Sequence, residues 1–517
     1  MQLFSRKRKY YLLSFVKHDL KASISVFFVA LPLCLGVAMA SNSPVISGLI
    51  AGIIGGLVVP IISRSQLSVS GPAAGLTTIC TAAILQMSLE TFFLSVVIAG
   101  LLQMILGFLK AGSFTQFIPS AVIKGMLAAI GIILISKQIP PLIGYDQPDF
   151  WSNELFNIIT FNHAFSNIKS LFAHSSTGPL LISALCFVLI YVWNKTLAKR
   201  FSFIPSSFVV VLFGALLAIL FGSISFFALD KAQFVSIPDN VISTLHTPKF
   251  DGIFNNTHIW TNAVVICFVA SLETLLSITA IDKIDPYNRI TPENRELVAQ
   301  GSANFISGML GGLPITAVIV RSAANAEAGA KTKLSAFTHG AWLLLAILFA
   351  IPLINAIPYC VLAVILIRTG YNLAKPKMII GIWKQGKEQF FPFIITVVSI
   401  LLTDLLIGVL IGIVYALYFL VKHTYRAGFT ISERTEGHTK HIVIELALNV
   451  SFLNKKRLVE MLDRLPKYSI VEVVGSRSVY IDHDVLEIFH DFRSKAHSRH
   501  IQLVMKDIPD VETIELH

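Results

Sequence analysis

The chain has 517 residues, of which 54% are hydrophobic and only 14% charged, and its mean hydropathy is +0.72. Soluble domains carry about 25% charged residues, so the composition excludes an ordinary soluble enzyme, a disordered chain and a secreted disulfide scaffold. The net charge is +11, yet no dense Lys/Arg face of the kind a nucleic-acid duplex requires is present.

From the N-terminus to about Val421 the sequence is a series of apolar runs of bilayer-spanning length. They fall near 20–40, 45–63, 72–87, 91–109, 117–136, 177–193, 203–222, 258–281, 293–311, 315–328, 334–351, 357–371, 391–404 and 406–424, about fourteen in all. Met1–Lys9 is basic, but the first apolar run leads straight into another without a small-residue cleavage site, so no signal peptide is expected. Cys34, Cys80, Cys186, Cys267 and Cys360 lie in apolar stretches without CxxC spacing, which argues against metal or disulfide roles. No P-loop, HExxH or Gly-x-Ser-x-Gly elbow occurs, so an enzyme is not expected.

After Val421 the composition shifts. His441–Ala447, Ser469–Val474 and Ile501–Met505 are β-rich, and Asn454–Leu465 and Asp482–Lys495 have helical spacing. This βαβαβ order predicts a small soluble α/β domain. Lysine and arginine placement tests the topology. With fourteen spans and the N-terminus inside, 23 of the 41 basic residues mark cytoplasmic edges and 4 (Lys137, Lys169, Lys231, Lys249) fall outside. The positive-inside rule gives this bias, so both termini are expected in the cytoplasm of a cell-membrane protein.

Two spans are interrupted alike. One reads Ser70-Gly71-Pro72-Ala73-Ala74, the other Gly311-Gly312-Leu313-Pro314-Ile315-Thr316. Pro72 and Pro314 are 242 residues apart, and Pro32 and Glu273 are 241 apart. Matched interruptions point to an inverted repeat of seven plus seven spans, with each proline expected at a first helical position. Two half-helices starting face to face inside the membrane expose unpaired N–H groups and positive dipole ends, which suit an anion. Packing kinks are the alternative reading. Arg321 lies seven residues after Pro314, about two turns into the expected half-helix, and an arginine there is usually functional or paired. Glu273 sits mid-span and can bind a coupling cation, carry a proton or neutralise Arg321. Asp404 is expected to cap a helix and His339 to be a polar packing residue.

The stretch Ala30-Leu31-Pro32 through Pro44 and Gly48, then Gln66–Pro72, Glu293–Asn304, Gly311–Pro314, Arg321-Ser322 and Gly329–Thr332 resembles the sulfate permease (SulP) family, also called solute carrier family 26. The tail resembles a shortened STAS domain. The resemblance implies an all-α polytopic membrane protein with a core domain (spans 1–4 and 8–11), a gate domain (5–7 and 12–14) and a small cytoplasmic STAS-like α/β domain, forming a homodimer in the bilayer. The corresponding bounds are a basic N-terminus at 1–19, a transporter domain at 20–427 and a STAS-like domain at 438–517. The implied cargo is a small inorganic anion, sulfate or bicarbonate, carried by elevator movement. The anion would bind at Ser70, Gly71, Pro72, Ala73, Ala74, Ile315, Thr316 and Ala317, with Arg321 supplying charge. Glu273, with Ser277 one turn on, would take a sodium ion or, for Glu273 alone, a proton. No metal site or other cofactor is implied, and no nucleic-acid partner. The sequence departs from many members at Leu33, where they have glutamine. It departs from sodium-binding members at Ile319, where they have threonine. The tail loop Asp482-His483-Asp484-Val485 lacks the family's phosphorylatable serine. The run Leu31–Gly36 resembles bacterial members associated with carbonic anhydrases, which implies a functional link to that enzyme. Passive anion conduction or exchange, and a nucleobase carrier on the same fold, are the alternatives.

Overall fold

The computed structural model describes residues 2–113, 119–145, 175–197, 204–224, 226–238, 246–250, 254, 256–403, 405–436 and 439–509. Asp404, the expected helix cap, lies outside them. The chain divides into two compact units, one of Met1–Gly386 with Phe393–Val409, the other of Lys387–Pro392 with Leu410–His517.

The first unit opens with α1 (Gln2–Ala40), α2 (Val45–Leu57), α3 (Val59–Ile62), β1 (Ser70–Pro72), α4 (Thr77–Gln86) and α5 (Leu89–Phe108). Next come α6 (Ser120–Lys137), α7 (Ile139–Ile143), α8 (Thr177–Val192), α9 (Ser206–Phe221), α10 (Thr257–Asp282) and α11 (Glu293–Met309). Then β2 (Ile315–Ala317), α12 (Ile319–Glu327), α13 (Leu334–Phe349), α14 (Ile351–Asn355), α15 (Tyr359–Leu373) and α16 (Pro376–Lys384) follow. Helices α17 (Lys387–Leu402) and α18 (Leu405–Arg426) contribute residues to both units. A chain of this composition becomes helical because lipid offers its N–H and C=O groups no partner, and a helix satisfies them internally. Among the described residues, seven helices are long and apolar enough to cross a membrane, including Phe15–Ala40, Leu89–Phe108 and Thr257–Asp282. Several other expected spans are shorter or interrupted; 72–87 and 315–328 are each a strand followed by a short helix.

The helices form two groups. In the first, α1, α2 and α13 pack together, and α5 packs against α10 and α11. Gly100 and Gly301 let α5 and α11 approach closely: a Cβ on either would lie 2.7 Å from the other's carbonyl oxygen. In the second group, α6, α7, α8 and α9 gather around α15.

The second unit contains β3 (Phe429–Glu436), β4 (Thr439–Leu446), β5 (Asn449–Val450), α19 (Lys455–Asp463), β6 (Ile470–Val474), β7 (Tyr480–Ile481), α20 (His483–Ser498) and β8 (Gln502–Lys506). Its main sheet has the order β3-β4-β6-β8. Strands β4, β6 and β8 are parallel, as the βαβαβ pattern predicts, while β3 is an antiparallel strand that the sequence reading did not anticipate. Alternation along β6 buries Val471 and Val473 against Leu458, Leu462, Val485 and Phe489. In the Asp482–Val485 loop, the Asp482 side chain caps α20 by accepting from the Asp484 N–H at 3.1 Å.

Candidate functional site

The two interrupted segments meet. Strands β1 and β2 pair antiparallel, with Ser70 opposite Ala317, Gly71 opposite Thr316 and Pro72 opposite Ile315. This corrects one expectation. Pro72 sits within a strand and Pro314 just before one, so neither takes a first helical position. The first half-helix begins with a 3-10 turn at Ala74–Leu76 leading into α4, the second at Ile319 with α12. Extended chain is tolerable here because each segment supplies the other with backbone partners, which neither has alone. Arg321 is therefore the third residue of its helix, not two turns in.

The pairing also changes which backbone groups are free. The Ile315 N–H donates to Asn304 Oδ1 at 2.6 Å, the Ala317 N–H to Thr274 Oγ1 at 3.3 Å and the Val318 N–H to the Val69 carbonyl at 3.0 Å. The expected anion donors at Ile315 and Ala317 are thus already engaged. The first-turn N–H groups of α12, on Ile319, Val320 and Arg321, have no carbonyl four residues back to bond. Ala73 and Ala74 stand at the matching start of the first half-helix.

Arg321 is fully buried. Among the described residues its Nε, Nη1 and Nη2 make no well-formed hydrogen bond, and no carboxylate lies within ion-pair distance. The guanidinium occupies the space where Gly71 would carry a Cβ, so any larger residue there has to displace it. The Cys34 thiol lies close enough to interact with the guanidinium as a weak hydrogen-bonding neighbour, and the His339 ring is within its electrostatic reach. His339 is buried, with Nδ1 3.3 Å from the Ala336 carbonyl. Thr316 Oγ1 is also buried and unpartnered.

Glu273 is not paired with Arg321. Its carboxylate faces the start of the first half-helix, where a Cβ on Gly75 would lie 2.7 Å from Oε2. The Gly75 N–H is directed at this carboxylate, while Oε2 has no hydrogen-bonding partner among the described residues. Ser277 is buried one turn on and makes no hydrogen bond with Glu273 among the described residues. Thr274 is the α10 hydroxyl that reaches β2.

Behind the strands runs a polar chain that sequence reasoning did not single out as functional. Ser70 Oγ accepts from Gln300 Nε2 at 2.6 Å, Gln300 Nε2 also donates to Glu296 Oε1 at 2.9 Å, and Glu296 Oε2 accepts from Ser63. Asn304 adds a second bond to β2, from Nδ2 to the Ile315 carbonyl at 3.0 Å. Ser70 therefore turns its hydroxyl into this chain. The signal was present: Glu296, Gln300 and Asn304 recur every four residues, a polar stripe along one face of α11. Ser322 completes the scaffold, accepting from the Val69 N–H at 2.9 Å.

Lys137, expected in an external connection, ends α6 and is half-buried; Nζ donates to Thr81 Oγ1 at 2.8 Å and to the Ala40 carbonyl at 3.3 Å. These bonds tie α6 to α1 and α4. They line a cavity of about 410 Å³. A second cavity, of about 520 Å³, separates α1 and α12 from α8, α9 and α15, and Leu33, Ile319 and Val320 form part of its wall.

Comparison with known proteins agrees with this architecture. The chain is 26% identical over 441 residues to YvdB of Bacillus subtilis (strain 168), covering 84% of this chain and 78% of that protein. Its fold resembles the transmembrane domain of a cyanobacterium bicarbonate transporter, BicA, with a TM-score of 0.63 at 24% identity, over 78% of this chain and 97% of that one. It also resembles the overall structure of SLC26A9, with a TM-score of 0.74 at 15% identity, over 98% and 87% of the two chains. Residues 16–396 match the sulfate permease family along the whole stretch that carries the paired strands and both half-helices, and the chain belongs to that family.

Proposed function

We propose that the protein is a secondary active transporter of a small inorganic anion, sulfate or bicarbonate, which binds where the two half-helices begin. The observation that carries this reading is Arg321: a buried guanidinium that, among the described residues, has no well-formed hydrogen bond on its three nitrogens and no carboxylate beside it. An uncompensated buried charge costs several kcal/mol, and an anion at the β1–β2 junction supplies the missing partner. The first-turn N–H groups of α12 and the start of the first half-helix add donors and dipole. Family membership supports an anion as cargo, and the likeness to BicA supports bicarbonate as a candidate alongside sulfate.

Glu273, turned to the same half-helix start and holding an unpartnered oxygen, is the residue we assign to coupling with sodium or a proton. The core group carries the site past the gate group in an elevator movement. The family resemblance further suggests a homodimer in the cell membrane, both termini cytoplasmic, with a transporter domain at 20–427, a STAS-like domain at 438–517 and a link to carbonic anhydrase.

Uptake of labelled sulfate and bicarbonate into proteoliposomes, with and without a sodium or proton gradient, tests the reading. Arg321→Ala abolishes saturable uptake while the protein remains in the membrane; normal uptake by that variant refutes the anion site. Glu273→Gln retains anion binding but loses gradient dependence, and unchanged dependence removes Glu273 from coupling. Currents reversing at the anion equilibrium potential without cation dependence would replace active transport by passive conduction.

A further inference from the structure

The cavity of about 520 Å³ beside α12 contains a second arginine with unmet hydrogen-bonding capacity. Arg368 lies on α15, half-buried, and faces the wall formed by Leu33, Ile319 and Val320. Its Nη1 donates to Ser206 Oγ at 2.9 Å, and no carboxylate lies within 4 Å of it among the described residues. A guanidinium has five N–H donors, and the bond to Ser206 engages one of them on a residue that lines the cavity. The other charged side chains on the cavity wall are Lys375 and Glu327, and Glu327 is exposed at the far end of α12. An arginine within an apolar helix is costly unless it serves a ligand or a partner, and none of the described carboxylates pairs with this one. The placement is specific. Arg321, on the first turn of α12, packs against Gly71, while Arg368 shares the cavity wall with Ile319 and Val320 of that same turn.

We propose that Arg368 is a second anion-binding residue, which holds an oxyanion on the gate side of this cavity before it reaches the Arg321 site. The inference rests on the anion-transport reading above. A planar guanidinium matches two oxygens of an oxyanion at once, which an ammonium does not. The site therefore favours sulfate or bicarbonate over a spherical halide.

The test uses the full-length protein in proteoliposomes of defined orientation, with labelled sulfate and bicarbonate presented from either side. Arg368→Gln is expected to raise the apparent KM about tenfold from the cavity side, the loss of one charge-assisted contact. From the opposite side KM stays within about twofold. Arg368→Lys keeps the charge and raises the oxyanion KM severalfold while leaving inhibition by chloride unchanged. An unchanged KM from both sides, an equal rise from both sides, or loss of folded protein in both variants overturns the proposal, the last by making Arg368 a structural tie to Ser206 or to lipid headgroups. The two readings fail separately. Saturable uptake surviving in Arg321→Ala removes the anion site itself. Uptake lost in Arg321→Ala but unaltered in Arg368→Gln removes only the approach site.

Discussion

At single residues, the site is defined by what glycine leaves room for. The Arg321 guanidinium fills the volume of the missing Gly71 side chain, and the Glu273 carboxylate that of Gly75. Gly71→Ala is expected to displace the guanidinium and lower saturable uptake at least tenfold with normal membrane insertion. Gly381→Ala serves as the control, because a Cβ there meets nothing within 4 Å. Equal uptake by the two variants would show that the guanidinium position is unimportant. The polar chain behind β1 makes a second prediction. Glu296→Leu leaves Gln300 and Ser63 without their buried acceptor, a loss of about 1–3 kcal/mol. It should appear as a lower melting temperature of the purified protein, and an unchanged melt would show that the chain is dispensable. Arg321 and Glu273 stood out in the sequence because charge is rare inside apolar runs. Thr274, Gln300 and Arg368 did not: hydroxyls and amides are common in membrane helices, and an arginine near a span end reads as a topology mark.

Among the elements, the connections between helices are held by caps and short ion pairs. Asp285, between α10 and α11, receives Arg289 Nε at 2.7 Å and the Tyr287 N–H at 2.9 Å, while Arg289 Nη1 reaches the Lys331 carbonyl at 2.8 Å. Burial of Asp285 would by itself raise its pKa, but the Arg289 guanidinium and these N–H bonds outweigh it and hold the carboxyl below the ordinary value of 3.8. A depressed carboxyl stabilises the fold above its unfolded pKa, and that stability fades as pH falls through the lower folded value. The melting-temperature gap between the wild type and Asp285→Asn should therefore be largest near neutral pH and close in strong acid. A gap that widens with acid would contradict the assigned sign. The Lys137 bonds to Thr81 and Ala40 join the two helix groups. Lys137→Met is expected to weaken this tie and raise the uptake rate or lower the melting temperature, whereas no change in either would show that the bonds carry no load. The helical runs were legible because an 18-residue apolar stretch has one low-energy form in lipid. The β1–β2 pair was not, because three extended residues carry no periodic signal and their partner lies in the other half of the sequence.

Over the whole molecule, charge placement predicts sidedness. All five cysteines are free and buried, so a single exposed cysteine reports with little background. Lys384→Cys should react with an impermeant thiol reagent from the cytoplasmic side and Lys249→Cys from the outside; the reverse pattern, or labelling of both from one side, would invert the orientation or change the span count. The surplus of +11 gains a finer meaning once the chain is folded. Lys137 is tied between helices, Arg321 is buried at the strand pair and Arg368 faces a cavity. The sequence by itself determined the membrane setting, the helical runs, the α/β tail and the two breaks, because composition and spacing act locally along the chain. The tertiary structure alone decided that the breaks pair as strands, that Ile315 and Ala317 give their N–H groups to Asn304 and Thr274, and that Arg321 is left without a carboxylate partner among the described residues. Those outcomes depend on which distant segments fill one another's hydrogen bonds in a medium that supplies none.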